Sequence, residues 1–537
     1  EDLSTYISYS RQNVDDNINF TCHTDDVQQQ NLINQITDNA PINKTANDGK
    51  LRKYRLALAT TIEYSRYHIN KAGLQSGTDE EKLAAVLSAI NVAMTRVNGV
   101  YEKEFGVTME LVENNDKIVF IKTDEYTNNS GSAMLKENQT VLDREIGTAN
   151  YDVGHVFSTG GGGVAYLQSP CSTSKAGGVT GLGAPINDPF YIDYVAHEMG
   201  HQFGAPHTFN NSCGGNRSGA TAVEPGSGST IMAYAGICPP NVQNNSDPYF
   251  STVSVNNIYN FIKSANGSCS VNTDSGNNEP IIEVSKLSHN IPHSTAFILE
   301  ATATDLDGDA LTYNWEQTDT QIATQPPVST NTGGPTFRSL NPTTEGYRYF
   351  PNLQSIVAGK LTLETNPAPM NWEVIPNVAR TLKFSILARD NNPKGGQTDR
   401  KNVTLVVKNV GPFKVTSQSI TENWKQDNSA TINWDVAGTD TNGIDTQNVK
   451  ILLSVDGGQK FDYVLAETIP NNGSYTFTVP AGLGITDKAR IMIKAIDNVF
   501  LAVNSANFSI ESSLATNEIK GKDLATISPD PSNGIIN

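Results

Sequence analysis

The chain has 537 residues and a formal net charge of −18, and its 37% hydrophobic and 18% charged content are both low. That length is too great for one core and points to about three or four domains. So acidic a surface excludes nucleic acid and anionic membrane as expected partners, and no run approaches the ~20 apolar residues of a membrane span.

Residues 1–50 are polar and irregular and read as an N-terminal extension or a pro-region remnant. The chain opens on Glu1, so it is processed or a fragment, and the lack of a signal peptide says nothing about secretion. Residues 54–64, rich in Leu, Ala, Thr and Ile, are an expected strand. Thr78 and Glu81 form a capping box. It precedes Leu83, Val86, Leu87, Ile90, Met94 and Val97, the single apolar face of a helix. Strands are expected at 107–112 and 117–122, a helix at 138–147, and strands at 153–157 and 164–167 with Gly160 to Gly163 between them. His155 in this region reads as structural. A helix is expected over about 190–203 and a closing helix over 253–265.

The helix near 190–203 carries the chemistry. Residues 197 to 207 read His-Glu-Met-Gly-His-Gln-Phe-Gly-Ala-Pro-His. His197 and His201 are four apart and project from one helical face at zinc-ligand spacing. Glu198, beside the first of them, can reach a metal-activated water without being a ligand, as a general base must. Gly204 lets the chain leave the helix sharply. The turn then brings back His207 as third ligand. Three protein ligands leave the open position of a catalytic rather than a structural zinc site. The pattern fixes five positions, so at about one in twenty each, chance matches are rare even in a long chain.

Further on, residues 228 to 234 read Gly-Ser-Thr-Ile-Met-Ala-Tyr. With the long histidine motif, this segment resembles the metzincin zinc peptidases, in which a methionine-bearing turn lies beneath the metal. Met232 takes that place. The resemblance covers about residues 50–270 and is closest to bacterial reprolysin-like peptidases. Two positions depart from the reprolysin pattern. Thr208, followed by Phe209, stands where Asp is usual, and Tyr234 follows the methionine as in astacin-like and serralysin-like members. There that Tyr ligates zinc or steadies the transition state. The resemblance also implies that the strand at Gly163 to Leu167 is the upper rim, where an extended peptide pairs with a sheet edge.

The five cysteines include four in this region, for which sequence alone permits three pairings. The family resemblance implies Cys171 with Cys269 and Cys213 with Cys238. Two disulfides imply an oxidising compartment. Cys22 is left over. Some metzincins are held latent by a pro-region thiolate on the zinc, and Cys22 is the candidate for that role, although its surroundings match no latency signature. The alternatives are a free thiol or a bridge to another cysteine.

The expected fold is multidomain. An α+β metzincin catalytic domain at 51–270, with a mixed sheet, two long helices and a loop-rich lower half, precedes a linker at 271–280. Two all-β sandwiches follow. The first, at 281–410, resembles cadherin-like and PKD-like modules; its Asp305, Asp307 and Asp309 alternate and can hold calcium through oxygen ligands. The second, at 411–512, looks fibronectin-like or Ig-like, with Ile432, Trp434 and Val436 alternating and a turn at Asp456-Gly457-Gly458. The tail, 513–537, resembles the start of a type IX secretion sorting domain.

The expected function is a secreted or cell-surface bacterial zinc endopeptidase acting on proteins or peptides. Zinc and Glu198 activate water, Glu198 returns the proton to the leaving amine, and Tyr234 steadies the oxyanion. The alternative is an adhesin or glycan-binding protein with the peptidase domain as scaffold; the sandwiches would then engage matrix or glycan. The motif residues and the proposed disulfides all precede Asp274, so a chain cut there is expected to fold and cleave peptides.

Overall fold

The computed structural model describes residues 45–160, 162–362 and 372–513. The N-terminal unit is built on a central strand, β1 (Lys50–Thr60), which pairs in parallel with β2 (Val107–Leu111) on one side and β3 (Val153–Ser158) on the other. On the edge, β4 (Gly163–Ala165) runs antiparallel to β5 (Gly178–Gly181), which pairs in parallel with β3. Leu56 and Leu58 of β1 point to one face and Ala57 and Ala59 to the other, so the strand is buried on both sides. Helices α1 (Ile62–Lys71) and α2 (Asp79–Phe105) cover the first face. Helix α3 (Gly131–Leu142) covers the second through Met134, Leu135 and Val141.

The capping box at Thr78 and Glu81 is formed. Helix α2 is long and apolar enough to cross a membrane by length and composition alone, contrary to the expectation that no segment would be. Val86, Ile90, Met94, Val97 and Phe105 lie in the main core, so its apolar stripe is used in packing.

Three local expectations are corrected. The chain turns helical at Ile62, because the Thr61 hydroxyl caps the amide of Tyr64 and ends β1. Residues 117–122 form no strand. The Asn115 side chain bonds both the amide and the carbonyl of Leu58, at 2.8 and 2.9 Å, so the segment reaches the edge of β1 only at its end, through a single bridge from Val119 to Thr60. The linker expected over 271–280 opens with a strand, β6 (Val271–Asp274), antiparallel to the start of β1.

Two all-β units follow. In the first, Thr312–Gln317, Arg380–Arg389, Thr398–Lys408 and Ser288–Pro292 form a four-stranded sheet. Its facing strands, Ala296–Glu300 and Tyr347–Phe350, continue into the second unit. Phe297 pairs with Phe500 and Ala296 with Leu501, so one eight-stranded sheet spans both units. The alternation expected around Ile432 and Trp434 is present, with both side chains buried.

The N-terminal unit and the first all-β unit share a core. Arg389 is 1% exposed, with Nε donating to Glu104 at 2.9 Å and Nη2 to the Phe250 carbonyl at 3.0 Å. Leu387 belongs to the same cluster as α2. The Thr252 amide donates to Glu316 at 2.6 Å, and Gly396 to the Glu102 carbonyl at 2.7 Å. Losing one partner of such a buried pair costs about 3–5 kcal/mol. A chain ending near Asp274 would leave Glu104 without Arg389 and open the base of the core, so the expected outcome is now loss of folding, read by circular dichroism of that fragment beside the full chain.

Candidate metal centre

Helix α4 carries the motif. It runs without a break through Asn187–Phe190, six π-helical residues at Tyr191–Ala196, and His197–Gln202. The wide π turns end at the first histidine, a placement common at functional sites. Val195, Ala196 and Met199 anchor the inner face in the main core. Gly204 ends the helix with φ +97°, and the Ala205 amide closes the turn on the Gly200 carbonyl at 2.9 Å.

The structure brings the three histidines together. Nε2 of His201 lies 3.1 Å from Nε2 of His197 and 3.1 Å from Nε2 of His207. Two nitrogens each ~2.0–2.1 Å from one tetrahedral zinc are about 3.3 Å apart, so the spacing fits. The other ring nitrogens test the fit independently. Nδ1 of His197, His201 and His207 each meets a backbone carbonyl, of Ile231 (2.7 Å), Ala205 (2.8 Å) and Asn216 (2.7 Å). A carbonyl only accepts, so each Nδ1 bears the proton and each Nε2 turns a lone pair to the common centre. Burial, with His207 nearby, pushes His197 down to about 3, which keeps it neutral at neutral pH. Three imidazoles so arranged suit zinc.

Glu198 is fully buried, and the rim strand β4 comes directly against it. A β-carbon on Gly163 would lie 1.9 Å from Glu198 Oε1, so a side chain there collides with the carboxylate. Met232 is fully buried under the helix, where a β-carbon on Gly200 would meet its sulfur at 2.4 Å. Tyr234 is 4% exposed, with its ring 4.6 Å from His207, 5.9 Å from His197 and 4.5 Å from Phe209.

One residue was missed in the sequence. Glu224 is buried and accepts from the Thr208 hydroxyl at 2.6 Å and from the amides of Ser229 and Thr230 at 2.7 and 3.1 Å. It ties the segment after the third histidine to the methionine turn, and it accounts for Thr208, a donor, where an acid is usual. The available signal was its isolation as the one acidic residue between Glu198 and Asp247.

The structure joins Cys171 to Cys269 and Cys213 to Cys238. The second bridge closes a 25-residue span around the methionine turn, which on chain-entropy grounds is worth about 3.5 kcal/mol. His155 is structural, held between Gln202 and Thr180 at 2.8 Å each, with burial pushing it down to about 4. Asp305, Asp307 and Asp309 offer oxygens within 4.8 Å of one another. Asp305 already accepts from the amides of 307 and 309, Asp307 from Asn278 and Asp309 from Asn392. Cys22 and residues 514–537 lie outside the described residues.

Fold and site together define a metallopeptidase domain joined to a large all-β part. Residues 87–208 match the family model described as Metallo-peptidase family M12B Reprolysin-like, a match that ends just past His207. A search of the curated proteins finds no match. Among solved structures the chain is similar to fibronectin(III)-like modules of Clostridium thermocellum CbhA, at 10% identity, covering 43% of this chain and 95% of that one with TM-score 0.15. It is also similar to the Ig1-2 module of the Drosophila receptor protein tyrosine phosphatase DLAR, at 10% identity, covering 44% and 100% with TM-score 0.24. The N-terminal four Ig domains of Dscam1 isoform 1.9 match at 11% identity, covering 43% and 46% with TM-score 0.13. At these TM-scores the likenesses carry no functional argument. The two disulfides fit an extracellular protein.

Tyr234→Phe is expected to lower kcat more than it raises KM, as for a contact made mainly in the transition state. Steady-state kinetics on a peptide reads this directly; an unchanged kcat assigns the ring to packing against Phe209 and His207.

Proposed function

We propose that the chain is a secreted zinc endopeptidase that hydrolyses proteins or peptides. The observation that carries the reading is the convergence of three Nε2 atoms whose Nδ1 partners are all backbone carbonyls. His197, His201 and His207 would hold the zinc, which would supply Lewis acidity toward water and toward a substrate carbonyl. Glu198 takes the proton from the attacking water and gives it to the leaving amine. Tyr234 donates its hydroxyl to the oxyanion as charge develops on it. The edge of β4 holds the substrate extended, with Gly163 keeping the backbone flat beside the carboxylate.

Two subordinate proposals travel with this reading. Cys22 restrains the site before activation, so Cys22→Ser activates the intact chain without cleavage; a variant as inactive as an inactive parent removes the idea. Calcium binds at Asp305, Asp307 and Asp309, and a Tm unmoved by millimolar calcium removes that one.

The test is a digest of a proteome-derived peptide library by the intact chain and by Cys22→Ser. Cleavage that stops with a zinc chelator and returns with added zinc supports the reading and reports subsite preference. Zinc-loaded parent and variant that both leave the library intact overturn it, and the adhesin reading takes its place.

A further inference from the structure

The first all-β unit grips the loop that carries the third histidine. Asn210, three residues past His207, is 1% exposed. Its Nδ2 donates to the carbonyls of Ala222 and Gln321, at 2.9 and 3.2 Å. Its Oδ1 accepts from the Ala323 amide at 3.1 Å and Gln325 Nε2 at 3.4 Å. Gln325 Oε1 in turn accepts from the Gly226 amide at 2.9 Å. Trp372 lies so close over Gly226 that a β-carbon there would be 2.6 Å from the ring. On the far flank, Ser229 Oγ donates to the Ser339 carbonyl at 3.3 Å, and the Tyr249 hydroxyl lies 2.6 Å from Ser339 Oγ.

His197 and His201 sit on α4, whose inner face the main core fixes. His207 lies beyond that helix, in a loop tied to the methionine turn through Glu224 and the Cys213–Cys238 bridge. It stands in a loop whose regular structure is the single turn Cys213–Gly215 and one isolated bridge, Phe209 to Glu224. The carbonyl that orients its ring, that of Asn216, belongs to the same loop. Besides these ties within its own unit, the loop is held at Asn210 and at Gly226, and both of these points are bonded to the all-β unit.

We infer that Gln325 and Trp372, reaching in from the first all-β unit, are positioning residues for His207, so that the catalytic unit extends through the strand Thr398–Lys408. The inference rests on the zinc peptidase reading. It makes the all-β unit part of the metal site's support rather than an appended binding module. Outer partners of metal ligands set ring orientation and typically matter by about 10–100-fold in metal affinity. These residues act one step further out, so the low end of that range applies.

The experiment uses the full chain carrying Gln325→Ala with Trp372→Leu. Zinc affinity is measured by competition with a chromophoric chelator, and geometry by the ligand-field spectrum of the cobalt(II)-substituted protein. The expected result is a circular dichroism spectrum like the parent's, zinc affinity lower by about tenfold, a shifted cobalt band, and a kcat that falls more than KM changes. Gln325 is only partly buried, so Gln325→Ala alone reads the same quantities if the double variant does not fold. Zinc affinity and cobalt spectrum within twofold of the parent in a folded variant overturn the inference while leaving the peptidase reading intact. A parent that binds no zinc removes the peptidase reading, and this inference with it.

Discussion

Glu198→Ala is expected to leave the fold and one zinc per chain in place and to lower kcat by about 10²–10⁴-fold, the usual cost of losing a general base. A larger loss is consistent with the proposed mechanism, in which the same carboxylate also returns the proton to the leaving amine. The alanine removes none of the proposed metal ligands, the converging His197, His201 and His207. It also leaves Nδ1 of each histidine on its carbonyl. Metal analysis beside steady-state kinetics checks both halves. Turnover near the parent's, with zinc content unchanged, would sink the proposed role of Glu198.

Gly163→Ala is expected to approach the same loss from the other side of the site. The new β-carbon would lie 1.9 Å from Glu198 Oε1 and 2.6 Å from its Cδ. Backbone pairing of Gly163 with Thr180 holds the strand, whereas a carboxylate at the end of a flexible side chain can swing away. The collision therefore displaces the base rather than unfolding the sheet. A double-mutant cycle isolates this mechanism. In the Glu198→Ala background, Gly163→Ala should cost almost nothing further in kcat. If its effect is instead fully additive there, the glycine acts through substrate binding along the rim and not through the carboxylate.

Much of the site was legible because its rules are short-range. Four-residue spacing puts His197 and His201 on one face, and a glycine at Gly204 permits the positive φ that ends the helix. The capping box at Thr78 and Glu81 is likewise a three-residue relation, and it formed as read. The start of α1 was missed although Thr61 was in view, because a threonine after an apolar run reads equally as strand. Residues 117–122 have the composition of a strand. They make only one bridge, Val119 to Thr60, because Asn115, from outside that stretch, holds the backbone groups of Leu58.

Helical period and one glycine turn, read from the sequence by itself, determined which three imidazoles converge, and the resemblance carried by a second motif pointed to Met232, which the structure places under the same helix. Tertiary structure alone decided what holds that chemistry in place. The Arg389 bond to Glu104 joins residues 285 apart, and Asn210 meets Gln321 and Ala323 across more than a hundred. The sheet running through both all-β units depends on a pairing of Phe297 with Phe500. No periodicity encodes such pairs, because each partner taken alone satisfies the local pattern of an ordinary helix, loop or strand. Only burial selects them: once Glu104 and Asn210 leave water, their polar atoms must find partners, and the folded chain offers them from another unit.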